Sequence, residues 1–354
     1  MPSYSGVWTL SQQLQAVSAG NWPVPPPPPA LAVAHSGSPR VTAYAWSDSG
    51  FGAKFANPAT LPTGSGGFSV AFKKDGTAIA VGSDATPFIT AYPWSDSGFG
   101  TKYANPSTLP TSVPRGVAFS ASAIAFANDD TPFIFAYPWS SSGFGTKFAN
   151  PATLPVNFAF GAAFSPSGDA LAVTYFSSPF INVYPWSGSG FGTKFADPAT
   201  LPTGGYGGVT FSPSGNAIAF AHRNAPYISA YSWSGSGFGT KFADPATPAG
   251  SDTGRGVAFS PSGDAIAMAS TSSPYVIAYP WSGAGFGAKF TNPATLPTGQ
   301  GTGVAFSANG NSIAVSHSNS PFVTAYPWSG SGFGTKYANP ATLPSADAEG
   351  VSFV

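Results

Sequence analysis

Short apolar runs, broken at steady intervals by glycine, proline and serine, run through most of this chain. Gly208-Val209-Thr210-Phe211-Ser212 alternates and predicts a short strand, a. Pro213-Ser214-Gly215-Asn216 predicts a tight turn, and Ala217-Ile218-Ala219-Phe220-Ala221 a second strand, b. After His222-Arg223-Asn224-Ala225-Pro226, the segment Tyr227 to Trp233 predicts strand c. Ser234-Gly235-Ser236-Gly237 then turns the chain into strand d, Phe238 to Ala243, which Asp244-Pro245 ends because proline cannot donate to a ladder. The same pattern recurs around Trp46, Trp94, Trp139, Trp186, Trp233, Trp281 and Trp328, at gaps of 48, 45, 47, 47, 48 and 47 residues. Four short strands at a fixed period of this size predict the blades of a propeller.

The two ends of the repeat fit one another. The first unit begins at strand b, Ala30-Leu31-Ala32-Val33-Ala34, and Gly350-Val351-Ser352-Phe353-Val354 is a strand a with nothing after it. The expected fold is therefore all-β, a seven-bladed propeller over residues 30–354 whose C-terminal strand closes the first blade and hides two open edges. The third unit is two residues shorter, because Phe119-Ser120-Ala121-Ser122-Ala123 trims its a–b turn.

Residues 1–24 lie outside the repeat. Thr9 to Gly20 predicts a short helix with Leu10, Leu14 and Val17 on one face and Trp8 and Trp22 at its flanks. Such an arm, helical then extended, needs a surface to dock on, either its own propeller or another protein. Residues 25–29 are five prolines and predict a stiff polyproline spacer, which favours an external partner. Trp8, Leu10, Leu14, Val17 and Trp22 are the candidate anchor.

Composition removes several function classes. Thirteen basic and thirteen acidic residues balance, and charged residues are only 7% of the chain, so no electrostatic footprint for nucleic acid is expected. There is no cysteine, so thiolate and disulfide chemistry is excluded. No stretch is long and apolar enough to predict membrane insertion, and the N-terminus does not read as an export signal.

The loops divide by face. The a–b and c–d turns are nearly the same in every unit, whereas the b–c and d–a loops differ in every unit and share the opposite face. Divergence confined to one face predicts a recognition surface. Its candidate residues are His35, Arg40, Asp84, Arg115, Asp129, Asp130, Phe158, Phe176, Tyr206, His222, Arg223, Asn224, Arg255 and His317. The seven tryptophans read as seals between blades rather than sugar platforms. The seven lysines at the end of strand d read as edge protection.

An enzyme is not expected. The chain has one glutamate, Glu349, and no paired carboxylates of the kind glycoside hydrolysis uses. The three histidines fall in different units, too far apart for a shared metal. No catalytic, cofactor or metal residues are assigned on this reading.

Two resemblances add to it. Val257-Ala258-Phe259-Ser260-Pro261-Ser262-Gly263-Asp264 resembles the strand and turn of a WD-repeat blade, and each Trp closes strand c as in that family. The Gly-His dipeptide and the Asp after Trp are absent, so the family's buried hydrogen-bond network is not implied. Gly6-Val7-Trp8-Thr9-Leu10 to Asn21-Trp22-Pro23 is similar to a segment of bacteriophage virion proteins, tail and fibre components among them. Together these imply a non-enzymatic virion protein, held to another virion protein through residues 1–24. Its loop face would meet a host-surface protein or glycan. The alternatives are a cytoplasmic WD-type interaction scaffold and a multivalent lectin.

Overall fold

A computed structural model describes residues 28–247 and 253–354. The predicted arm with Trp8, Leu10, Leu14, Val17 and Trp22 lies outside the described residues, as do the first three prolines of the spacer.

The described chain forms seven four-stranded antiparallel sheets in a closed ring. In blade five the strands are Tyr206–Phe211, Ala217–His222, Ile228–Ser234 and Gly237–Lys241, paired in sequence order. Blade one takes its strand a from the other end of the chain. Ala348–Phe353 pairs antiparallel with Ala30–His35, from Leu31↔Phe353 to Ala34↔Gly350. The predicted closure is thus present.

Strand b is buried along its whole length in every blade, in blade five from Ala217 to His222. A strand covered on both faces reads as a near-continuous apolar run, which explains Ala-Ile-Ala-Phe-Ala. The turn between a and b closes with Gly215 N–H donating to Ser212 O at 2.8 Å, and Gly215 takes φ +71°, which glycine adopts without strain.

The core lies between blades rather than within them. The apolar cluster around Trp233 draws Ala170, Ala172, Ile181 and Val183 from blade four and Val209, Phe211, Ile218 and Tyr231 from blade five. Trp233 meets Phe195, Phe211 and Phe238 edge-on, at 5.3, 5.4 and 5.2 Å between ring centroids. Each tryptophan of this kind contributes roughly 2–3 kcal/mol by burial. The closing seam is built alike, with Trp46 against Phe51, Tyr337 and Phe353.

A second seam device was not anticipated. The buried tyrosine two residues before each Trp crosses to the neighbouring blade, where its hydroxyl donates to a threonine carbonyl. Tyr231 reaches Thr200 O at 2.8 Å, and Tyr44 reaches Thr342 O at 2.7 Å across the closure. The outer lysines are also less free than expected. Each ammonium is tied to the Asn or Asp three residues on, as in Lys102–Asn105 and Lys194–Asp197.

Candidate active site at the mouth of the central channel

The b–c and d–a loops do share one face, because they hold one another. Asp84, in a b–c loop, accepts from Ser65 N at 2.7 Å and Gly66 N at 3.1 Å in the preceding d–a loop. These bonds outweigh the burial that opposes them and hold its carboxyl below the usual carboxylate range. Asn224 donates to Thr203 O at 2.6 Å in the same way.

The candidate recognition residues therefore separate into groups. His35, His222 and His317 are fully buried and close strand b rather than lying in its loop. Their Nε2 atoms meet Thr42, Ser229 and Thr324 hydroxyls at 2.9, 3.0 and 2.9 Å. Burial pushes each ring down to about 4, so all three are neutral framework residues. Their assignment to a recognition surface is corrected: a 0% exposed imidazole cannot touch a partner. Arg40 is also structural, its guanidinium donating to Gly64 O. Asp84 and Asn224 are loop staples, and Asp130 caps its own loop by accepting from Thr131 N at 2.8 Å. Phe158 is exposed, and Arg223 lies over Phe176 at 4.3 Å.

Arg115, Tyr206 and Arg255 go elsewhere. They line the mouth of the central channel, a cavity of about 200 Å³ bounded by strand a of every blade. The second residue of each strand a lines this mouth, and in blade five, where it is glycine, Tyr206 just before it supplies the side chain. Around the ring these are Phe68, Arg115, Phe160, Gly207, Arg255, Thr302 and Glu349. The last four positions of strand a keep close to Gly-Val-Ala-Phe from blade to blade, whereas the first two vary.

The ring brings opposite charges to face one another. Arg115 donates from Nε to Asp129 Oδ1 at 2.6 Å. Its guanidinium lies between two rings, 5.7 Å from the Phe68 centroid and 5.8 Å from that of Phe160. Burial works against its charge, but the Asp129 contact prevails and holds the proton more tightly than usual. Arg255 lies over Tyr206 at 5.0 Å, and its buried Nε has no hydrogen-bond partner. Such an orphaned donor is costly unless something fills it.

Glu349, the one glutamate of the chain, enters this ring on the closing strand. Burial raises its carboxyl above the ordinary range, helped by Asp347, while Arg255 and Arg115 oppose that rise through space. Among the described residues it makes no direct ion pair with either arginine. A half-buried carboxyl, raised towards neutrality and faced by two guanidinium groups, is suited to general acid–base work beside an anion site. Among the described residues no group of three His, Cys, Asp or Glu side chains could hold a metal ion.

The sequence reading missed Glu349, Phe68, Phe160 and Thr302. The signal was available in the alignment of strands a, where the first two positions vary while the Gly-Val-Ala-Phe after them largely persists.

No family model matches the sequence, and no curated protein does. Solved structures do match the fold. A candidate 6-phosphogluconolactonase from Bacteroides uniformis superimposes with a TM-score of 0.71 at 15% identity, over 92% of this chain and 99% of that one. A counterpart from Bacteroides fragilis gives 0.69 at 11%, over 94% and 99%. The periplasmic gluconolactonase of Pseudomonas aeruginosa gives 0.68 at 14%, over 92% and 99%. At such identities the likeness establishes the seven-bladed fold alone. It does correct two expectations from the sequence. The reading as a non-enzymatic virion protein, with its scaffold and lectin alternatives, gives way because the similar solved propellers are named as lactonases. The expectation of no enzyme is withdrawn on the same ground. Neither the WD-repeat nor the phage resemblance is supported by these structures.

Proposed function

We propose that the channel mouth hydrolyses the lactone of an anionic sugar acid. The observation that carries this reading is the meeting of Glu349, its carboxyl raised by burial, with the side chains of Arg255 and Arg115 around one small cavity. The lactonase names of the structural neighbours suggest the substrate class. Glu349, as carboxylate, takes a proton from a water that attacks the lactone carbonyl. The resulting oxyanion lies against the Arg255 guanidinium, a fixed positive charge where negative charge develops. Collapse breaks the ring C–O bond, and Glu349 returns the proton to the departing ring oxygen. Lactone and water thus become the hydroxy acid, with no other reactant. Arg115, clamped by Asp129, Phe68 and Phe160, holds the substrate's anionic group.

The test is pH-stat hydrolysis of glucono-δ-lactone and of its 6-phosphate, each corrected for spontaneous opening. The protein accelerates at least one of them, and Glu349→Gln lowers kcat by about 100-fold or more while circular dichroism is unchanged. Rates no faster than buffer for both lactones, or an unimpaired Glu349→Gln, overturn the reading.

A further inference from the structure

The strand that carries Glu349 is held at the mouth by a hydroxyl from the blade beside it. Thr302 Oγ1 lies 2.6 Å from Ala348 O and 2.9 Å from Ser316 Oγ. A carbonyl only accepts, so the Thr302 proton goes to Ala348, the residue just before Glu349. Room for this contact is built in. A Cβ at Gly303 would fall 2.8 Å from Ser316 Oγ.

This device differs from the tyrosine seam. Tyrosine hydroxyls cross every seam at the same register, as the general scaffold requires. The mouth-level hydroxyls are departures from the repeat, and they lead to residues of the mouth. Ser69, where the other blades have glycine, donates to Pro114 O at 2.7 Å, just before Arg115. Thr174 donates to Gly207 O at 2.6 Å, beside Tyr206.

We infer that Thr302 is a positioning residue for Glu349. Its hydroxyl fixes the backbone from which the carboxylate projects, and so fixes the distance of that carboxylate from Arg255 and Arg115. This rests on the lactonase reading of the site, and Thr302 itself takes no part in proton transfer. A carboxylate displaced by part of an ångström loses its alignment with water and lactone, and it hydrates.

Because Glu349 is the one glutamate, labelling the full chain with [δ-13C]glutamate gives a single carboxyl resonance that titrates independently of activity. The wild-type midpoint lies above the ordinary carboxylate range. In Thr302→Val the midpoint falls towards that range and kcat falls about tenfold with KM little changed, whereas Thr302→Ser restores both. Tyr326→Phe, which removes the general seam bond in the same blade, lowers the melting temperature and leaves the midpoint in place. An unchanged midpoint in Thr302→Val, or an equal shift in Tyr326→Phe, overturns the inference. If wild type hydrolyses neither lactone but Thr302→Val still shifts the midpoint, the lactonase reading fails and the positioning role stands.

Discussion

The buried histidines make the ring sensitive to mild acid. His35, His222 and His317 are fully enclosed at the ends of three inner strands, each neutral and hydrogen-bonded to a hydroxyl. Burial is the main cause that lowers each to about 4 from the usual 6.5; Lys54 and Arg40 add to it at His35, as Lys241 does at His222 and Lys336 at His317. The unfolded chain binds these protons more readily than the folded one. Stability from this source is therefore complete above pH 6.5 and is lost as the pH falls from 6.5 towards 4. Between pH 8 and pH 5 each histidine withdraws about 2 kcal/mol, and the three together about 6 kcal/mol. That is a large part of the roughly 5–15 kcal/mol by which a folded domain is stable. Asp84, Asp169 and Asp264, held low by hydrogen bonds, give up their stabilisation only below the ordinary carboxylate range, so the two windows separate. Glu349, raised by burial, acts in the opposite sense. The assay is urea unfolding followed by tryptophan fluorescence at pH 8, 7, 6 and 5. The midpoint drops steeply between pH 6.5 and 5, and His317→Gln removes about one third of the slope. A wild-type midpoint unchanged between pH 7 and pH 5 refutes the reasoning.

Other substitutions test the seams. Tyr231→Phe leaves Thr200 O without its partner and costs about 1–2 kcal/mol, or roughly 2 °C in Tm by calorimetry for a ring of this size. Trp94→Ala strips the edge-on contacts with Phe55, Phe72 and Phe99 and costs about 3–5 kcal/mol in urea unfolding. Deleting residues 350–354 exposes the edge of Ala30–His35 and frees Trp46 from Phe353; light scattering then reports self-association, and Tm falls by more than about 5 °C. A truncated chain that melts and scatters like the full one shows that the closing strand contributes little.

The sequence by itself determined the ring. Strand length, turn residues and tryptophan spacing are local or periodic properties, and each repeat meets its neighbours in the same way. Seven copies of one seam therefore leave little choice of architecture. The closing strand was legible for the same reason, since Gly350 to Val354 matched a vacancy at Ala30. Tertiary structure alone decided the roles of individual residues. His222 reads as a loop residue beside Arg223, yet a strand one residue longer turns its ring inward to Ser229 and out of reach of any partner. Glu349 reads as the chain's one glutamate, near the C-terminus and beside Asp347, with no basic residue close to it in sequence. Its companions, Arg115 and Arg255, are more than ninety residues away in the chain, and only closure of the circle sets them around one cavity. Charge, burial and an orphaned donor are properties of that meeting rather than of any one segment.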